Sequence, residues 1–358
     1  MPEPPPRVDP ACPGVRCVTV TLTGDVLLHP ELVEQARLDA TPGAPTAQDG
    51  LDFLPMLAAQ RPWTEPADLA ICHLETPLAS PDGPFLGWPE FSAPPQVLPA
   101  LRAVGYDACT TASNHTLDQG PRGVDRTLDA LDAAGLRHAG SARSAAEEAT
   151  PVVLDTPGGR VGLVAATYDL NGHDPDAPWR VDLLDADAIL DRARAARAAG
   201  AEVVLVALHA GTEYDREPNG DQEYLARTLL ADPAVDLVYG HHAHVVQPIE
   251  KIGGKWAVYG LGNAIAAQRT SAPGVQDGLL VTVRFSRDAS GAWTTAGVGW
   301  LPTHVDDGPP NRWCPADGTP TCAPVDPDAA AAGAADTAAI VESRGAAQAG
   351  AVRLPPTG

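Results

Sequence analysis

No run of about 18 apolar residues occurs anywhere in the 358-residue sequence, so no transmembrane helix is encoded. Basic residues are also scarce. The chain has 24 Lys and Arg against 46 Asp and Glu, a formal net charge of −22. That balance argues against general nucleic-acid binding, which needs basic faces to displace counterions, and against polybasic attachment to an anionic membrane. The opening MPEPPPRVDPACPGVRC has no basic stretch leading into an apolar one and does not read as a secretory signal peptide. The expectation is therefore either a cytosolic chain or one with a segment upstream. Internal repeats and coiled-coil heptads are absent too.

What is present is enough apolar material for a core: 44% of the residues are hydrophobic and 20% charged, which excludes wholesale disorder. The length fits two domains or one large α/β domain. VTVTLTGD (18–25), DLAICHLE (68–75), YDACTTAS (106–113), RVGLVAAT (160–167), VVLVALH (203–209) and VDLVYGHH (235–242) read as buried strands. Helical spacing over 121–134, 183–199 and 221–232 alternates with them. This pattern predicts an α/β architecture with central sheets. Between 245 and 305 the segments VVQPIEKI, WAVYGLG, LLVTVRF and TTAGVGWLP predict consecutive antiparallel strands, in a second sheet or at an antiparallel edge. The expected organisation is a proline-rich disordered leader over 1–17, a domain over 18–306, and a Pro/Gly loop with an Ala-rich C-terminal helix or tail over 307–358.

The six cysteines fall in three settings. Cys12 and Cys17 flank a Pro-Gly turn, and Cys314 and Cys322 flank a Pro/Gly-rich loop. Such close pairs suit local disulfides in an oxidising compartment; four unpaired thiols are the alternative. Cys72 and Cys109 sit inside apolar runs and read as buried, inert core residues.

The informative pattern is polar. Five apolar runs end in groups that bind metal or move protons: Asp25, Glu75, the pair Asn114 and His115, His209, and the cluster His241, His242 and His244. In α/β folds ligands bind beyond the carboxyl ends of the strands. Carboxylate, amide and imidazole together suit an ion of the Mn, Fe or Zn type. Two such ions would activate water and clamp a phosphoryl oxygen. Singly, each residue has a structural reading as a turn, a cap or a satisfied histidine; the repetition in one chain favours a site. His138 and His173 belong to no motif and read as structural or exposed.

TLTGDVLLHP, HLETPL, SNHTLDQG, HAGTEY, GHHAHVVQP and YGLGNAI, in that order between about Val18 and about Leu301, resemble the CapA-type capsule synthesis proteins. These are the poly-γ-glutamate capsule proteins related to the calcineurin-like metallophosphoesterases. The resemblance implies a four-layer α/β/β/α sandwich, metallophosphoesterase-like, with one or two divalent metal ions (Mn, Fe or Zn). It implies Asp25, Glu75, Asn114, His209, His241 and His244 as metal ligands, Glu75 standing for a bridging aspartate. His115 is similar to the histidine that protonates the leaving group or steadies the oxyanion. Asp118 either orients His115 or caps the helix that follows. Glu213 and Tyr214 are implied as contacts to substrate or to groups behind the ligands.

This sequence departs from the pattern at the first motif, where the superfamily has Asp-x-His. Here His29 is the next histidine, either the missing imidazole or a surface residue. His73 stands where the family often has Asn and, two residues before Glu75, shares its face of a strand. Ala210 and Ala243 replace a common Trp and Pro. The partners implied are a polyanionic polymer or phosphoester substrate and a capsule-synthesis membrane complex, at an extracytoplasmic or envelope location. The expected activity is metal-dependent hydrolysis. The alternatives are a non-catalytic scaffold for polyglutamate export and a cytosolic phosphoesterase.

Overall fold

The computed structural model describes residues 12–268, 270–316, 322 and 324–355. Most of the expected leader lies outside the described residues. From Cys12 onward the chain is tied down: Cys12 is disulfide-bonded to Cys17, and the Val15 N–H donates to the Arg287 carbonyl at 2.8 Å.

Two sheets organise the described residues. The first contains β1 (Arg16–Val26), β2 (Leu69–Leu74), β3 (Ala108–Thr110), β4 (Arg137–Ala139), β11 (Asn263–Ile265), β12 (Asp277–Arg287), β13 (Trp293–Val305), β14 (Trp313–Pro315) and β15 (Ala351–Arg353). Its order is β14-β13-β12-β1-β2-β3-β4, with β11 beside β1 and β15 beside β13. The second contains β5 (Val153–Asp155), β6 (Arg160–Thr167), β7 (Val203–His209), β8 (Leu237–His241), β9 (Ile249–Ile252) and β10 (Lys255–Val258), in the order β5-β6-β7-β8-β10-β9. β1 to β4 run parallel, as do β6, β7 and β8. The antiparallel stretch expected after 245 is divided: β9 and β10 edge the second sheet, and β12 and β13 extend the first.

Strand alternation builds the layers. In β7, Val203, Leu205 and Ala207 join a cluster with Leu22 and Ile71 of the first sheet, while Val204, Val206 and Leu208 join a second cluster with Ile189, Leu225 and Leu229. The latter come from helices Ala186–Ala198 and Gly220–Ala231, which cover the outer face. Helices Val97–Ala103 and Gly120–Ala133 cover the first sheet through Leu98, Leu101, Val124 and Leu128. The result is the four-layer α/β/β/α sandwich. Strands buried on both faces explain why the sequence showed continuous apolar runs without alternation.

Residues beyond 306 continue the first sheet. β14 and β15 pair with β13, and helix Pro327–Glu342 packs on β12 and β13. The cysteines expected to be inert are in fact joined. The parallel register of β2 and β3 sets Cys72 opposite Cys109, with Cα atoms 4.5 Å apart and the sulfurs bonded. Cys314 and Cys322 form the third disulfide.

Candidate metal centre

The parallel strands of both sheets end on one side, and their terminal residues meet there. In β2, Leu69, Ile71 and His73 share a face by period-2 alternation, and Glu75 continues it. In β7 the inner-facing series Val203, Leu205, Ala207 ends in His209; in β8, Leu237 and Tyr239 lead to His241. β1 needs a correction to bring its carboxylate to the same place. Thr21 and Thr23 point to the helical layer, bonding the Trp63 carbonyl and the Tyr106 hydroxyl. Plain alternation would send Asp25 with them. Instead Leu22 pairs with Ile71 while Asp25 pairs with His73, so β1 carries one extra residue against β2. This bulge turns Asp25 inward.

The segment Tyr259–Gly262 crosses the ends of both sheets. The Leu261 N–H donates to the Gly240 carbonyl (3.1 Å), and the Asp25 N–H donates to the Gly262 carbonyl (2.9 Å). A Cβ on Gly240 would lie 1.9 Å from the Tyr259 oxygen, and one on Gly24 would lie 2.0 Å from the Gly262 oxygen. Both glycines, each just before a site residue, are required by this close backbone passage.

The convergence is dense and dry. Asp25 Oδ1 accepts from His241 Nδ1 at 2.7 Å, and Asp25 Oδ2 lies 3.1 Å from His244 Nδ1. Burial pushes the Asp25 carboxyl up, but its bonds to His241 and His244 outweigh burial and hold it well below the usual range. Burial would lower His244, yet the Glu75 and Asp25 carboxylates push it up to about 9. Glu75 is the contrasting case. It is 1% exposed, neither carboxylate oxygen has a hydrogen-bond partner, and burial pushes its pKa well up. Its Oε1 lies 3.7 Å from His244 Nε2 and 4.0 Å from His209 Nε2, and His209 Nε2 is 2.8 Å from Asn114 Oδ1.

Among the described residues three overlapping donor groups arise: Asp25, Glu75 and His244; Asp25, His73 and His241; and Glu213, His242 and His244. His242, which the sequence reading placed in the histidine cluster but left out of the ligand set, belongs to one of these groups. It follows β8 with φ 88, in the left-handed region, and this turn sends its ring to 4.8 Å from that of His209. Its Nδ1 is buried without a partner. His244 and Tyr214 are left-handed as well, at φ 55 and 65. His241, still within the strand, lies behind Asp25 with its ring stacked on His73 at 4.1 Å.

His29 does not enter any of these groups. Its Nδ1 accepts the Ala267 N–H at 3.2 Å, and its ring packs edge-on against Phe91. Asp118 bonds His115 (Oδ2 to Nδ1, 2.7 Å) and accepts the Phe91 N–H, whereas helix Gly120–Ala133 has no side-chain cap. Glu213 and Tyr214, with His29, His115 and His244, border a cavity of about 320 Å³ above the centre.

Behind Asn114 and His209 lies a chain of hydrogen-bonding side chains. His73 Nε2 is 3.0 Å from His209 Nδ1, and His73 Nδ1 is 2.8 Å from Thr110 Oγ1. Burial holds both imidazoles well below their ordinary pKa, so each is neutral, with one donor and one acceptor. If His209 Nε2 offers its lone pair outward, Nδ1–H donates to His73, and His73 Nδ1–H donates to Thr110. With a cation in place of the Asn114 contact, His73 would hold His209 in that tautomer. We expect His73→Phe to weaken divalent-metal binding about 10- to 100-fold, read by equilibrium dialysis, with the fold retained by circular dichroism.

The sequence model of the bacterial capsule synthesis protein PGA_cap matches residues 19–268. The chain belongs to this family. It is 28% identical over 193 residues to the PGA biosynthesis protein CapA of Bacillus subtilis, covering 53% of this chain and 50% of that protein. It is 27% identical over 225 residues to the capsule biosynthesis protein CapA of Bacillus anthracis, covering 61% and 53%. The chain thus spans about half the length of these two relatives. The calcineurin-like phosphoesterase YfkN of Bacillus subtilis superposes with a TM-score of 0.51 at 15% identity, over 80% of this chain and 90% of that one. This PGA_cap protein therefore shares the metallophosphoesterase fold.

Proposed function

We propose that this PGA_cap protein is a metal-dependent hydrolase of the cell envelope, acting on a phosphoester or an ester-linked polymer in capsule assembly. Asp25, Glu75 and His244 would hold one divalent ion, and Glu75, Asn114, His209 and His242 the other. The observation that carries this reading is Glu75. A buried carboxylate with no hydrogen bond costs several kcal/mol, and a shared cation turns that cost into an attraction. The donor set of carboxylate, amide oxygen and imidazole suits Mn, Fe or Zn. Bound there, such ions supply positive charge at phosphoryl oxygens and lower the pKa of water toward neutrality.

The chain's own residues do the rest. Asp118 accepts from His115 Nδ1 and orients the ring, so that Nε2 is the nitrogen left to pass a proton to the departing oxygen. The pairing of all six cysteines supports an oxidising, extracytoplasmic setting. A capsule-synthesis membrane complex is the partner this reading assigns.

The test is elemental analysis of wild type and Asp25→Ala, with Mn-dependent hydrolysis of bis(p-nitrophenyl) phosphate. About two ions per chain, reduced in the variant, together with turnover, are expected. An absence of bound metal would favour the scaffold reading instead. Replacing His115 with alanine should lower kcat about 10²- to 10⁴-fold, and more for alkyl than for nitrophenyl leaving groups, because only the former need the proton.

A further inference from the structure

Asn171 lies in the connection between β6 and helix Ala186–Ala198, outside the motifs that supply the candidate ligands, yet its side chain stands against both Asn114 and His115. Its Oδ1 accepts from Asn114 Nδ2 at 3.1 Å, and its Nδ2 lies 3.2 Å from His115 Nδ1. The local sequence explains how it gets there. Asn171 and Gly172 are both left-handed, at φ 51 and 76, and the His173 N–H donates to the Leu170 carbonyl at 2.9 Å. Two left-handed central residues closed in this way make a type I′ turn, for which Asn-Gly is a favoured pair. The base of the turn is anchored. Leu170 is buried, and the Tyr168 N–H donates to the His209 carbonyl at 3.0 Å. Asn171 is thus tied to the end of β7, the strand that delivers His209.

An asparagine ligand can be turned the wrong way, whereas a carboxylate cannot. One end of the amide accepts and the other donates, so a half turn about χ2 would present N–H groups to a cation. Asn114 Oδ1 lies 2.8 Å from His209 Nε2, which places the oxygen on the side of the metal centre. The choice between the two orientations rests on what the far end meets. Asn171 Oδ1 attracts the amide nitrogen of Asn114 and repels its oxygen. Resting on the metal-centre reading above, we infer that Asn171 is a positioning residue, which fixes the Asn114 amide with its oxygen toward the ion.

The test is equilibrium dialysis of Mn²⁺ against wild type, Asn171→Gly, Asn114→Asp and the double variant. Glycine adopts the left-handed region freely, so Asn171→Gly removes the amide and keeps the turn. It should weaken one Mn²⁺-binding step about 10- to 100-fold and leave the other as it was, with an unchanged Tm in chelator. A carboxylate at position 114 has oxygen at both ends and needs no orienting. In the Asn114→Asp background the same glycine substitution should therefore cost less than about threefold. Asn171→Asp keeps an acceptor in place and should bind Mn²⁺ at least as tightly as wild type, to within about threefold. Equal losses in both backgrounds, no loss in either, or an Asn171→Asp variant as weak as Asn171→Gly would each overturn the inference. A wild type that binds no Mn²⁺ would remove the metal-centre reading together with this one. Full binding by wild type and by Asn171→Gly alike would remove this one alone.

Discussion

Glu75→Gln is expected to bind at most one divalent ion and to lose on the order of 10³-fold of metal-dependent turnover, several kcal/mol of transition-state stabilisation. In chelator the same variant should be more stable than wild type, and the two effects together identify the role of the carboxylate. Burial raises the Glu75 pKa above its ordinary 4.5 in the folded protein. Between that value and the raised one, the folded state holds a proton that the unfolded state has released. Stability contributed by this group is therefore lost as pH rises from about 4.5. Glutamine has no such dependence. Thermal melts in chelator should show wild type falling below the variant as pH rises, and saturating Mn²⁺ should reverse the order. A wild type that stays above the variant in chelator at every pH would mean that His244, 3.7 Å away, already compensates the Glu75 charge.

Gly240→Ala should be among the most damaging single substitutions in the chain, with Gly24→Ala close behind. At each site the new methyl group meets a backbone carbonyl at 1.9 or 2.0 Å, in a segment anchored to both sheets. No flexible side chain is there to give way. The cost should be at least about 4 kcal/mol, seen as a large drop in Tm or loss of cooperative unfolding. Gly220→Ala is the control: a Cβ there meets nothing within 4 Å, and the change should stay below about 1 kcal/mol. The glycine effects should appear equally with and without metal, which separates them from Glu75→Gln.

Much of the site was legible because its residues end apolar runs. Asp25, Glu75, Asn114 and His209 could be picked out from that position alone, and the α/β alternation gave the layers. Three features were not legible, each for a physical reason. The side to which Asp25 points depends on a bulge between Leu22 and Asp25, and an inserted residue leaves no mark in an apolar run. The distinction between His241 and His242 depends on where β8 stops and on a left-handed φ at His242. The spacing of His242 and His244, with a single residue between them, was the available signal. The Cys72–Cys109 bond depends on the register of β2 against β3, which no local pattern encodes.

The family match ends at residue 268, before β12 begins. Yet β12 is hydrogen-bonded along β1 from Arg16 to Leu22, the stretch that leads into Asp25. A fragment trimmed to the matched region would leave that central strand with a naked edge of unpaired amides and carbonyls beside Val20 and Leu22. Such an edge recruits other chains and precipitates them. What is shared across the family and what can stand alone as a soluble unit are therefore different lengths of this polypeptide.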